Sequence, residues 1–203
     1  MTPSANEAGY VRSAIEDGIA TITFHHPKSN SLPGTLLAEL ASAVRTAGDD
    51  TKARVIVLRS DGESAFCAGA SFAELQAISD SEGGKKFFMG FVNLILAMIR
   101  APKFIVTRVH GKAVGGGVGI VSASDFAMAA SAASVKLSEL AVGLGPFIVG
   151  LPIQKKIGMG PFTAMSIETA GGSLHSGSRN SHTSTVRTGY LPEPKAIVLS
   201  RQR

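Results

Sequence analysis

The sequence is poor in cysteine, tryptophan and long apolar runs. It has one cysteine, Cys67, and no tryptophan. A single cysteine excludes an intrachain disulfide and is typical of reducing compartments, so we expect a cytoplasmic protein. The first ten residues lack the basic and apolar regions of a secretory signal. The longest apolar stretch, Phe87–Ile99, is shorter than the ~20 residues of a transmembrane helix, so the sequence predicts no membrane association.

Charged residues are also scarce, at 17% of the chain against 44% hydrophobic residues, and a sizeable core can therefore form. The net charge of +5 is unevenly distributed. Residues 1–170 hold 15 Lys and Arg against 14 Asp and Glu, whereas residues 171–203 hold five basic residues and one acid, Glu193. Nucleic-acid-binding faces cluster basic residues with aromatics, and this core does not, so we expect no nucleic-acid partner.

A change of composition near residue 170 divides the chain into two parts. Residues 1–170 carry the apolar periodicities of one folded domain. Residues 171–203 begin with a Ser-, Thr- and Gly-rich stretch without apolar periodicity, and we predict a low-complexity tail that is disordered or foreign to the fold. The basic charge of this tail leaves open a minor alternative, a protein that binds a partner through its tail.

Periodicity predicts an α/β fold with crossover connections. Two alternating runs, Tyr10–Ile15 and Ile19–Phe24, flank Asp17-Gly18, which is a strong hairpin signal. The further predicted strands are Val55–Leu58, Phe104–Val109, Phe126–Ala129 and Val135–Leu137. Helices are predicted from near Pro33, from Phe72 with Ser71 as its cap, over Glu82–Arg100, Gly117–Ala123, Ile148–Ile157 and Pro161–Glu168.

Two glycine-rich segments, Phe66–Ser71 and His110–Gly117, each follow a predicted strand and precede a predicted helix. Backbone N–H groups at such turns can point into a shared concavity, where they stabilise a developing oxyanion. Glycine runs also mark ordinary tight turns and close helix packing, and neither segment alone decides between the two. Their spacing matches neither a dinucleotide fingerprint nor a phosphate loop.

Glu139 ends a predicted strand and opens a loop that is dense in glycine. A carboxylate among apolar neighbours has its pKa raised by desolvation and can then act as an acid or base. The alternative for an isolated glutamate is a solvated loop side chain. Cys67 is interpreted as a small buried hydrophobe rather than a nucleophile, since no histidine in its motif could activate it.

Four segments resemble the crotonase superfamily, which contains the enoyl-CoA hydratases and isomerases, and they occur in the family's order and separation over residues 10–168. The early segment HHPKSNSL resembles the family's N/R-P-K-x-x-N-x-L turn, and FCAGASFAEL its F-x-A-G-x-D-x-x-E-[LM] signature. HGKAVGGGVGIVSASDFAMA resembles the glycine-rich turn and short helix, and VKLSELAVGLGP the segment with a catalytic glutamate. The resemblance implies a superhelix of repeated ββα units that assembles as trimers or hexamers.

The same resemblance assigns the site. It implies that the amides of Ala68 and Gly116 bind the thioester oxygen and that Glu139 is the general acid/base. Residues lining the path of coenzyme A would be Lys28, Ser31, Gly69, Ala70 and Ser71, together with the two oxyanion residues. Coenzyme A is part of the acyl-CoA substrate, so no separate cofactor and no metal are expected.

Three departures from the family pattern bear on the activity. Gly119 stands where the family has its first carboxylate, Ser71 replaces an aspartate, and residues 171–203 do not resemble the family's C-terminal helices. The leading prediction is an enoyl-CoA hydratase that reversibly hydrates a 2-enoyl-CoA. The alternatives are a 3,2-enoyl-CoA isomerase with Glu139 as single proton shuttle, and a non-catalytic, truncated CoA-binding remnant.

Overall fold

The computed structural model describes residues 9–168, together with the backbone of residues 174–175 and 197–200. The predicted disordered tail lies mostly outside the described residues. The elements, in chain order, are β1 Tyr10–Glu16, β2 Ile19–His25, α1 Gly34–Asp49, β3 Val55–Ser60, β4 Ala65–Cys67, α2 Phe72–Gln76, α3 Ser81–Arg100, β5 Phe104–Val109, β6 Lys112–Val114, α4 Gly116–Ala123, β7 Phe126–Ala129, β8 Ser134–Lys136, a 3₁₀ turn Glu139–Val142, α5 Phe147–Ile157, α6 Met159–Ile167, β9 Leu174–His175 and β10 Ile197–Ser200.

The described strands form two sheets. The larger has the order β1-β2-β3-β5-β7-β10, in which β2, β3, β5 and β7 are parallel and the two edge strands are antiparallel to their neighbours. The smaller has the order β4-β6-β8-β9, with β4, β6 and β8 parallel. This mixed architecture confirms the predicted α/β class.

The predicted hairpin is confirmed, because β1 and β2 pair in register across Asp17 and Gly18, both of which have positive φ. Two consecutive residues of this kind make a turn whose twist suits the flanking strands. The predicted start of α2 is confirmed, and α3 begins at Ser81, one residue before the predicted Glu82. The Ser71 hydroxyl accepts a hydrogen bond from the Glu74 amide at the start of α2. The Asp80 carboxylate accepts a hydrogen bond from the Gly83 amide at the start of α3.

The core is a single cluster of buried residues that includes members of the larger sheet and of the helices α1, α3 and α4. Ile22, Ile56, Leu58 and Ile105 are fully buried on one face of the sheet, because alternate residues of a strand point to the same side. An edge-to-face pair, Phe24 of β2 against Phe66 of β4 with ring centroids 5.5 Å apart, joins the two sheets. Within the described residues, no helix is both long enough and apolar enough to span a membrane.

Candidate active site

The first glycine-bearing turn leaves β4 at Cys67 and is paired with the loop between β2 and α1. Leu32 donates its amide to the Gly69 carbonyl at 2.8 Å, and Ser71 donates to the Leu32 carbonyl at 3.2 Å. The amide of Ala68 donates to the carbonyl oxygen of Ser29 at 3.2 Å. The first turn is therefore shaped by bonds from a neighbouring loop rather than by its own sequence alone.

The second turn connects β6 to α4 through a single residue, Gly115. Its φ of 51° and ψ of −115° lie outside the region that residues with a side chain adopt readily. Its amide donates to the Lys136 carbonyl at 2.9 Å, which ties the turn to β8. Helix α4 begins at Gly116, one residue earlier than predicted, and the preceding Lys112–Val114 is a strand rather than part of the turn. As the first helical residue, Gly116 has no acceptor for its amide within α4.

Glu139 opens a 3₁₀ turn, two residues after Leu137, the end of the predicted strand, and three after Lys136, where β8 ends. This corrects the prediction that Glu139 ends a strand and opens a glycine-dense loop. The turn closes at Gly143, whose positive φ lets its amide bond back to Glu139 and Leu140. One carboxylate oxygen of Glu139 accepts the Ser138 amide at 2.9 Å. Burial raises the pKa of Glu139, and the backbone hydrogen bonds to its carboxylate offset part of that rise.

These three elements meet because they follow three adjacent parallel strands, β4, β6 and β8. The carboxyl ends of parallel strands lie at one edge of a sheet, where ligands of α/β proteins commonly bind. A methyl group placed on Gly69 would lie 3.0 Å from the Val114 carbonyl and 3.7 Å from the Gly116 amide nitrogen. A methyl group on Gly115 would lie 3.5 Å from a carboxylate oxygen of Glu139. The two turns and the carboxylate are thus immediate neighbours.

The position of the missing first carboxylate, Gly119, is enclosed by apolar side chains. A methyl group placed there would lie 2.6 Å from Val149 and 3.2 Å from Ile95. One turn earlier, the ring of Phe91 lies directly against Gly116, since a methyl group there would come within 2.3 Å of the ring. A side chain cannot enter at either position without movement of these neighbours, so Glu139 is the carboxylate that this corner of the described structure offers.

The remaining predicted binding residues lie around the β2–α1 loop and the first turn. Lys28 is exposed, and the hydroxyl of Ser31 lies 3.4 Å from Nδ1 of His26. Burial and the charges of Lys28 and His25 lower the pKa of His26, which favours its neutral ring. Ala70 forms a parallel bridge with Leu32. Ser71 has its hydroxyl engaged as the cap of α2.

Cys67 is fully buried, as predicted. Burial raises the pKa of its thiol to about 12, and its sulfur accepts the Gly69 amide at 3.4 Å. A thiol held neutral in this way is a packing group rather than a nucleophile.

Sequence reasoning missed two features of the site. Phe91 and Val149 were treated only as residues of apolar helices, and nothing in their spacing reveals that they pack on Gly116 and Gly119. Asn30 was quoted within a motif but given no role, although it is buried and makes three side-chain hydrogen bonds. The sequence feature that could have indicated this role is the position of Asn30 in the short turn between the predicted strand and the predicted helix.

Comparison with known proteins identifies the family and the fold. The model of the enoyl-CoA hydratase/isomerase family matches residues 14–176. A Bacillus subtilis (strain 168) protein named "Probable enoyl-CoA hydratase" is 30% identical over 137 residues, which are 68% of this chain and 53% of that protein. An ethylmalonyl-CoA decarboxylase of Xenopus tropicalis is 27% identical over 135 residues, which are 66% of this chain and 45% of that protein.

Among solved structures, an enoyl-CoA hydratase of Mycobacterium smegmatis superposes with a TM-score of 0.76 at 29% identity, covering 82% of this chain and 64% of that one. The matched part of the chain spans about half the length of the curated relatives. The family match, the shared fold and the order of the four motifs agree, and the chain belongs to the enoyl-CoA hydratase/isomerase family, the crotonase superfamily.

Proposed function

We propose that this protein acts on acyl-CoA thioesters by stabilising a thioester enolate. In this proposal the amides of Ala68 and Gly116 bind the enolate oxygen, and Glu139 transfers the proton. The observation that supports it is the convergence of the two glycine turns and the carboxylate at one edge of the smaller sheet. Hydrogen-bond donors aimed at a developing oxyanion stabilise it. In this proposal the enolate oxygen displaces or shares the bond that the Ala68 amide makes to the Ser29 carbonyl.

The reaction that one carboxylate serves best is migration of a double bond between positions 3 and 2. The Glu139 carboxylate removes a C2 proton from a 3-enoyl-CoA, and the electrons of that C–H bond form a dienolate whose oxygen the two amides hold. The neutral Glu139 then returns the proton to C4, which gives the 2-enoyl-CoA. No group is consumed, and the carboxyl ends in its starting state. A raised pKa suits this role, because the carboxyl must both accept and release a proton.

The packing around Gly119 favours isomerisation over hydration, which was the leading prediction from the sequence. Hydration with two carboxylates uses a second acid to orient water, and Val149 and Ile95 fill the space around position 119. Hydration nonetheless remains the second candidate, because the relatives from Bacillus subtilis and Mycobacterium smegmatis are named as hydratases. In that reaction Glu139 alone would take a proton from the water whose oxygen adds to C3, and would deliver that proton to C2 of the enolate.

The test compares Glu139→Gln with wild type on a 3-enoyl-CoA and on crotonyl-CoA. Removal of a general acid/base is expected to lower kcat by about 10²–10⁴-fold while acyl-CoA affinity changes little. Product analysis by chromatography separates isomerisation from hydration. Glu39→Gln is the matched control, because Glu39 is exposed on α1. Binding without turnover in the wild type would favour a non-catalytic CoA-binding protein, and absence of binding would contradict the whole proposal.

Self-association is part of the same proposal. Phe147 and Leu151 on α5 and Ile167 on α6 are 87%, 75% and 66% exposed, which is unusual for large apolar side chains. A second copy of the chain would bury them, in line with the trimers or hexamers that the resemblance implies. Light scattering on the full chain measures the mass, and a monomer at micromolar concentration would contradict this part.

A further inference from the structure

Asn30 is a buried polar residue in the loop between β2 and α1, with 2% of its surface exposed. Its side-chain oxygen accepts the His26 amide at 2.8 Å. Its side-chain nitrogen donates to the carbonyls of Asp61 and Ala65, both at 2.8 Å. Both side-chain N–H groups and the side-chain oxygen are therefore bonded to backbone atoms, and they link the β2–α1 loop to the segment between β3 and β4.

These bonds hold a loop whose backbone is unfavourable by itself. Ser29 and Asn30 have φ values of 51° and 56°, a left-handed conformation that costs non-glycine residues free energy, with asparagine the most tolerant. The backbone amide of Asn30 donates to the His26 carbonyl oxygen at 2.9 Å, and this bond closes the turn. Ala65, one of the two carbonyl partners, is the first residue of β4. Asn30 thereby attaches the loop to the strand that leads into the first glycine turn.

The attached loop determines the direction of the peptide groups around Ala68. The Ser29 carbonyl accepts the Ala68 amide, and the Leu32 amide donates to the Gly69 carbonyl. The Ala68 bond is 3.2 Å long, at the weak end of the range for N–H···O contacts. A negatively charged oxygen is a stronger acceptor than a neutral carbonyl, so an enolate can displace or share this bond.

We infer that Asn30 is a positioning residue for the oxyanion donor of Ala68. It acts through Ser29 and Leu32, without touching the substrate. The inference rests on the proposed function, in which Ala68 binds the thioester oxygen. Without the Asn30 side-chain bonds, the loop is no longer attached to Asp61 and Ala65, and the Ala68 amide loses its direction. Glu139 follows β8 and keeps its place.

The experiment uses two substitutions in the full chain. Asn30→Asp keeps the size and the acceptor for His26 but removes the two N–H donors. Asn30→Gly removes all side-chain bonds and adopts positive φ without strain, so it serves if the aspartate variant fails to fold. Leu40→Ala is the control for stability, because Leu40 is fully buried in the core on α1.

The readout is polarisation of the thioester carbonyl, which a general loss of stability would not change. A dimethylaminocinnamoyl-CoA probe absorbs at longer wavelength when its carbonyl is polarised on binding. We expect wild type and Leu40→Ala to give the full red shift, and both Asn30 variants to lose most of it. Their kcat is expected to fall by about 10²-fold, the size of effect that an ångström-scale misplacement produces.

An unchanged red shift and kcat in a folded Asn30 variant would overturn the inference and leave the proposed function intact. Binding of the probe to wild type without a red shift would instead contradict the oxyanion role of Ala68 and Gly116, and the role of Asn30 would fall with it.

Discussion

The two sheets differ in role: the larger one contributes to the hydrophobic core, and the smaller one carries the candidate site. The larger sheet has strands of four to seven residues, and it supplies fully buried residues such as Ile22, Ile56 and Leu58 to the core. The smaller sheet has strands of two or three residues, and the loops at its carboxyl edge carry the candidate site. Strands so short cannot hold their own geometry, so contacts from outside the sheet, such as Phe24 against Phe66 and the bonds of Asn30, do so.

This difference predicts that the two sheets respond differently to substitution. A change in the larger sheet should lower the free energy of unfolding and leave the chemistry of the folded molecules unchanged. A change at the edge of the smaller sheet should alter turnover even where the loss of stability is modest.

The largest expected effect on stability is that of Leu58→Ala in β3. Leu58 is fully buried, and deletion of a buried leucine side chain costs about 2–5 kcal/mol. Urea denaturation measures the loss, and kcat per folded molecule should match wild type. A drop in kcat measured below the unfolding transition would contradict the separation of the two sheets.

Gly117→Ala should give a smaller loss of stability but a clear loss of turnover. A methyl group at Gly117 would lie 2.7 Å from the Cys67 carbonyl oxygen, so α4 and the end of β4 must separate, at a cost of about 1–3 kcal/mol. That movement displaces the Ala68 and Gly116 amides relative to each other. Gly160→Ala in α6 is the matched control, because within the described residues no atom outside its chain neighbours and its own helix backbone lies within 4 Å of the added methyl group.

The control should be neutral or slightly stabilising, by about 0.4–1 kcal/mol, since alanine lowers the entropy of the unfolded chain. Thermal unfolding and steady-state kinetics on both variants make the comparison. Equal kcat values for Gly117→Ala and Gly160→Ala would show that the close contact between the two turns is not needed for turnover.

The smallest expected effect is the dependence of stability on pH that Glu139 introduces. Burial raises the pKa of Glu139 in the folded protein above its ordinary value of 4.5, so folding favours the neutral carboxyl. Its contribution to stability is present at low pH and is lost as the pH rises through the raised pKa. Relative to Glu139→Gln, the wild type should therefore lose stability over that interval. Unfolding titrations from pH 4 upward test this, and a difference of the opposite sign would contradict it.

The hairpin turn, a helix cap and a helix end were predictable because their signals are local. The Asp17-Gly18 hairpin, the helix that ends before Pro102 and the cap at Ser71 depend on neighbours within one or two turns of chain, and the structure confirms each. Errors fell at the short elements. Lys112–Val114 was taken as part of a turn and Glu139 as the end of a strand, because three residues carry too little periodicity to distinguish a strand from a loop.

The sequence by itself determined the family, the order of the glycine turns and the presence of a glutamate after the second of them, since these are properties of adjacent residues. Only the tertiary structure decided that β4, β6 and β8 lie side by side, that Val149 encloses Gly119 and that Asn30 holds the loop beside Ala68. Each of these contacts joins residues more than 20 positions apart. Such distances are set by how the sheets and helices pack, which no local pattern records.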